Sequence, residues 1–239
     1  MNNTLKSAFT LAEVLITLAI IGIIAAMTLP ALMNNTKKTE NVVALKKAYE
    51  TLSQSALMLA AEHGNISNAI DSLNIPETFY APRREFANIF ATKMSLSKKC
   101  TQNGIAGCPA STNYKSLDQS SLNGVAYSID ALVGSDGITY YFDLNVDASG
   151  GNRCSSDRSY PSGTASSPLH ETCGTISADI NGVNKGPNQY GRDLFVFYLT
   201  KKGIYPAGAY PENPASLIEC VSFGMGCTAK VLQEGVMNY

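Results

Sequence analysis

"AFTLAEVLITLAIIGIIAAMTLPALM", residues 8–33, decides how the rest of this chain is read. From Val14 to Leu29 its only polar side chains are Thr17 and Thr28. The run is long enough for a helix to cross the hydrocarbon core of a bilayer, which takes about 20 residues. Pro30 stands near its far end, where a helix tolerates it at the cost of one hydrogen bond and a kink. An acid, Glu13, stands near its leading edge, although a carboxylate is costly in lipid. Ahead of the run lies a short polar leader, residues 1–8, whose side chains carry one positive charge, Lys6.

Beyond Asn34 the apolar pattern narrows to a stripe. Val42, Leu45, Tyr49, Leu52, Ala56 and Leu59 recur at alternating three- and four-residue spacing, with Lys and Glu between them. That spacing predicts an amphipathic helix with one buried face. Gly64-Asn65 supplies a stop after His63. Residues 9–63 therefore read as a single helix, its first half apolar all round and its second half suited to packing on a domain. An ordinary secretory signal is the rival reading, but its apolar core runs only about 7–15 residues and is followed by a small-residue cut site. The present run is longer, carries an acid, and continues into a second helical pattern.

The remaining sequence, residues 65–239, changes period. "PRREFANIFATKMSL" reads as a short helix, followed by a loop rich in Gly, Ser and Asn. "VAYSIDAL", "ITYYFDLNV", "TISADIN" and "LFVFYLT" read as strands, separated by turn signals such as Ser135-Asp136-Gly137 and Gly186-Pro187-Asn188. A long helix followed by an antiparallel sheet, mainly over residues 125–200, is an α+β arrangement. The stripe of residues 42–59 is expected to lie across one face of that sheet. The tail from Pro206 to Tyr239 reads as loop with at most a late strand.

Bulk properties narrow the function. Eighteen basic against 19 acidic residues leave no basic face for nucleic acid, which needs clustered Lys and Arg. The six cysteines fall in sequential couples, Cys100 with Cys108, Cys154 with Cys173, and Cys220 with Cys227, and none forms C-x-x-C. An even count downstream of a membrane segment favours disulfides in an oxidising compartment. Pairing neighbour with neighbour closes the shortest loops and costs the least chain entropy.

The stretch Phe9-Thr10-Leu11-Ala12-Glu13, with the apolar helix behind it and Pro30 about two dozen residues on, resembles the signal of type IV pilins and type II secretion pseudopilins. The resemblance implies a type IV pilin-like fold, a long N-terminal helix on an antiparallel sheet. It implies cleavage between Ala8 and Phe9 by a prepilin peptidase on the cytoplasmic side, then N-methylation of Phe9. Ala8 stands where the family usually has glycine, and keeps a small side chain there. The resemblance divides the chain into a leader (1–8), a membrane and filament-core helix (9–33), an amphipathic continuation (34–64) and an extracytoplasmic domain (65–239). It implies a single-pass protein of the bacterial inner membrane, later part of a pilus or pseudopilus. Its partners would be membrane lipid, an assembly platform and other pilin subunits. Glu13 would meet the amine that cleavage creates at Phe9, in its own subunit or in a neighbour.

"ADINGVNKGPNQYGRDLFVFYL", residues 178–199, is similar to a stretch near the end of many pilin-like proteins, where a D-x-N-G turn leads through G-P-N into the last strand. Secretion, motility, adhesion at a filament tip and DNA uptake all remain open on these residues, and the neutral composition gives DNA uptake no support.

Two stretches carry oxygen ligands for calcium. Asp143, Asn145 and Asp147 alternate as in the opening of an EF-hand loop, but Ala148 replaces its glycine and Cys154 its closing glutamate. Asp179, Asn181 and Asn184 offer a second, partial set. The same residue types also form turns without any ion. No other cofactor is implied. An enzyme is not expected: of two histidines, His63 ends a predicted helix and His170 lies in a Ser/Pro-rich loop. No G-x-S-x-G, H-E-x-x-H or phosphate-binding glycine loop is present.

Overall fold

The structure, a computed structural model, describes residues 10–72, 81–100, 108, 114–120, 131–144, 154, 168–182, 184–209, 220 and 223–239. Helix α1 runs unbroken from Leu11 to His63, through Pro30. It ends where expected, at Gly64 with φ +84°, a backbone region that glycine enters without steric cost. Residues 41–239 form one compact unit and residues 1–40 another, with α1 contributing to both.

In the larger unit the stripe is buried. Leu45, Ala48 and Leu52 are fully enclosed and Val42, Ala56 and Leu59 nearly so, while Tyr49 is half-buried and stacks on Phe197 at 6.0 Å between ring centroids. The sheet receiving it is antiparallel throughout, in sequence order: β1 (Leu96–Cys100), β2 (Ala131–Gly134), β3 (Thr139–Leu144), β4 (Thr172–Asp179), β5 (Leu194–Thr200) and β6 (Gly203–Pro206). Strand alternation sorts its side chains between two cores. Phe195, Phe197 and Leu199 of β5, with Tyr140 and Phe142 of β3, join the α1 stripe. Leu194, Val196 and Tyr198, with Tyr141, form the core on the opposite face with Tyr114 and Tyr190. Every residue of β5 is consequently buried, which accounts for its nearly continuous apolar sequence.

Helix α2 (Ile66–Asp71) follows α1 at once, its N-cap Asn65 accepting the Asn68 backbone N–H at 2.7 Å. Helix α3 (Ala81–Ala91) places Phe86 and Phe90 on Phe142, with centroids 5.6 and 5.2 Å away. A 3₁₀ turn, Pro168–Glu171, leads into β4, and helix α4 (Cys227–Glu234) lies near the C-terminus.

The sheet is wider than the sequence suggests. It starts at Leu96 rather than near residue 125, and continues past β5 into β6. The short helix ends at Ala91, so Leu96 belongs to a strand. The tail read as loop contains α4, whose Val231 is fully buried. Residues 125–130 of the first expected strand lie outside the described residues. Cys100 is joined to Cys108, Cys154 to Cys173, and Cys220 to Cys227.

Candidate functional site

Two regions carry the residues singled out from the sequence, one in each unit. The first is the start of α1. Leu11–Pro30 has a mean hydropathy of 2.3, is long and apolar enough to cross a membrane, and contains no buried residue among the described ones. Leu15, Ile16, Ile20, Ile21, Ile23 and Ile24 all point outward, a surface that water does not favour.

The polar side chains on this segment are turned back on its own backbone. Thr10 is the residue before the helix. Its backbone N–H and hydroxyl both donate to Glu13 Oε2 at 2.8 Å, and the Glu13 N–H donates to Thr10 Oγ1 at 3.2 Å. This reciprocal arrangement is a capping box, which uses N–H groups that the first turn of a helix leaves unpaired. Thr17 donates its hydroxyl to the Val14 carbonyl at 2.9 Å, and Thr28 donates to that of Ile24 at 3.0 Å. Such bonds satisfy a hydroxyl where no water is at hand. Pro30 has no N–H for the Ala26 carbonyl, yet the helix continues. Ala8 and Phe9 lie outside the described residues.

The second region is the turn from β4 to β5. Asp179 and Asp193 are both completely buried there. Asp193 is held by donors: Gln189 N–H reaches Oδ1 at 2.6 Å, while Asn188 N–H and Asn181 Nδ2 reach Oδ2 at 2.7 and 3.3 Å. Burial raises its carboxyl above the usual range in spite of them. Asp179 Oδ2 accepts the Tyr114 hydroxyl at 2.8 Å, and the Tyr114 hydroxyl oxygen lies 3.0 Å from that of Tyr141. Burial pushes the Asp179 carboxyl up to about 7, opposed by the Tyr114 bond, with Asp193 adding repulsion. Gln189 then ties the turn to the preceding segment, donating from Nε2 to the carbonyls of Ser116 and Leu117 at 2.8 and 3.2 Å.

The turn thus brings Asp179 and Asn181 together, while Asn184 is exposed. Asp143 sits exposed on β3, and Asn145 and Asp147 lie outside the described residues. Among the described residues no three His, Cys, Asp or Glu side chains converge as a metal centre. Tyr114 and Asp193 were not singled out from the sequence, and Thr10 and Asn188 were named only as members of the signal motif and of a turn. For Thr10 a signal existed, the T-x-x-E spacing of a capping box. Tyr114 and Asp179 are 65 positions apart, and no local pattern links them.

A family profile described as the prokaryotic N-terminal methylation motif matches residues 4–29. That motif is the signature of type IV pilins and pseudopilins, and it covers the start of the chain alone. The motif implies processing by a prepilin peptidase and assembly with other pilin subunits. No curated protein and no solved structure matches the chain.

Proposed function

We propose that this chain is a structural subunit of a type IV pilus or a type II secretion pseudopilus. It is cut between Ala8 and Phe9, methylated on the Phe9 nitrogen, and held in the inner membrane by its first helix. From there it is drawn into a helical filament whose core is built by residues 9–33. The observation that carries this reading is the methylation motif at residues 4–29, continuous with a helix whose large apolar side chains are exposed among the described residues. Such a surface requires either lipid or other helices around it.

The compact unit lies on the extracytoplasmic side in this reading, in keeping with its three disulfides. The role is mechanical. Apolar contacts between helices supply cohesion, and Glu13 sets the register against a neighbour's Phe9 amine, a use of buried charge for specificity rather than stability.

N-terminal sequencing of the mature protein tests the cut. A chain beginning with methylated Phe9 supports the reading, and one beginning near residue 34 removes it in favour of an ordinary signal. Glu13→Ala tests the assembly role: the variant should be processed and membrane-held yet fail to enter filaments. Normal incorporation would sink the role given to Glu13.

A further inference from the structure

Charge is distributed along the first part of α1 in a way that matches the layers of a bilayer. Residues 14–33 carry no charged side chain. At 1.5 Å per residue they span about 30 Å, the thickness of the hydrocarbon core. Glu13 stands just before this stretch, and Lys37 and Lys38 follow it within the same unbroken helix. These two are the only Lys or Arg side chains in residues 9–40. Once the leader and its Lys6 are cut away, they hold all the side-chain positive charge of that part.

Helical rise places the two lysines about 6 and 7.5 Å beyond Met33 along the axis. The polar headgroup layer on each side of the hydrocarbon is about 5–7 Å deep. A flexible lysine stem lets the ammonium settle anywhere within that layer. Both lysines are exposed. Neither takes part in an ion pair among the described residues, although Glu40 follows Lys37 by three positions. Thr36, just before them, donates its hydroxyl to the Leu32 carbonyl at 3.0 Å and needs no outside partner. Among the described side chains, Lys37 and Lys38 are therefore the first past the apolar stretch whose polar ends must be met from outside the helix.

We infer that Lys37 and Lys38 form a collar that binds the headgroups of anionic phospholipids at the extracytoplasmic face of the membrane. The collar presupposes the membrane-held helix proposed above and adds its lipid partner. An ammonium is a compact charge with three donors, which suits a phosphate oxygen without demanding one geometry. Neighbouring residues of a helix point about 100° apart, so the two lysines reach different lipids. A lipid of net negative charge is preferred to a zwitterionic one, whose headgroup brings a cation of its own to repel them. Such contacts set the height at which the subunit waits in the membrane, and they are given up when it leaves.

Full-length protein in bilayer discs tests this, with spin-labelled phosphatidylglycerol or phosphatidylcholine as the probe. The share of each probe immobilised at the protein gives the ratio of the two affinities. The unaltered chain should favour phosphatidylglycerol by about fivefold or more, since each basic residue near an anionic surface is worth about that factor. Lys37→Gln/Lys38→Gln, whose glutamines keep a similar helix preference, should abolish the preference. Lys46→Gln, an exposed lysine of the larger unit, should leave it unchanged. Added salt should weaken the preference by screening, whereas inorganic phosphate at equal ionic strength should not displace the lipid. The collar is overturned by equal association of the two lipids, by a preference that survives in the double variant, or by an equal loss in Lys46→Gln. Indifference to salt, or displacement by inorganic phosphate, overturns it too. Retention in the discs is read from the same samples. Absence of lipid preference in retained protein strikes the collar alone, and a chain that fails to insert strikes the membrane-held helix as well.

Discussion

Thr10 and Glu13 form the smallest unit on which the behaviour of the N-terminal segment turns. A carboxylate near the edge of an apolar helix invites explanation through a partner amine. The structure adds that Glu13 already has a partner within the chain, the N–H and hydroxyl of Thr10. The Thr10 N–H belongs to a peptide bond that a cut after Ala8 leaves intact, so the capping box can exist before and after processing. Thr10→Val keeps that N–H and removes the hydroxyl. It should loosen the first turn of α1 by about 1 kcal/mol, the usual worth of an N-cap side chain. Amide exchange at Glu13 and Val14 in detergent should quicken in Thr10→Val and stay unchanged in Thr10→Ser. Equal rates in all three proteins would mean that the hydroxyl contributes nothing.

At the scale of elements, the disulfides differ in what they hold. Cys154–Cys173 closes the longest loop, 19 residues apart in sequence, and both its cysteines are completely buried against the α1 core. Cys100–Cys108 and Cys220–Cys227 close separations of only 8 and 7 residues. Stabilisation through the unfolded chain grows with loop length. Replacing Cys154 and Cys173 together with alanine should therefore cost about 3 kcal/mol, more than the same change at either other pair. Chemical denaturation of the three double variants ranks them, and an equal or smaller loss at Cys154–Cys173 contradicts the ordering.

The elements also show where sequence reading reaches its limit. The buried stripe of α1 was legible because a period of 3.6 persists over many residues, its first half as an unbroken apolar run, its stop from Gly64, and the strong strands as runs of β-formers between turn signals. β1 was not. Its sequence LSKKC has two lysines in five positions, a composition suited to the edge of a sheet, where charge discourages further pairing. β6 is four residues long and ends in Pro206, the other common form of an edge. α4 is only two turns and follows a glycine-rich loop, so its periodicity has little room to register. Asp179 and Asn181 could be marked from spacing alone. Their association with Asp193 arises because β4 and β5 pair, placing Asp179 opposite Leu194.

For the whole molecule, the division after Glu40 has a measurable meaning. The buried stripe begins at Val42, and Asn41 donates its side-chain N–H to the Arg192 carbonyl at 3.1 Å. Everything the larger core requires is thus supplied from Asn41 onward. A chain of residues 41–239, made in an oxidising compartment, should be soluble without detergent and unfold in one cooperative transition. Broad, non-cooperative melting would show that the first 40 residues contribute to the core after all.

The hydrogen bonds of the first helix have one more consequence. Between Val14 and Leu29 the polar side chains, Thr17 and Thr28, ask nothing of the medium around them, because each is already bonded to its own backbone neighbourhood. Lifting such a segment out of lipid breaks no polar contact with the surroundings. The exchange is one hydrocarbon environment for another, so the free energy of the transfer rests on how well side chains such as Ile16, Ile20 and Ile24 interlock with their new neighbours. A helix of this kind is indifferent to its solvent as long as that solvent is apolar, and it can be a tenant of the membrane without being bound to it.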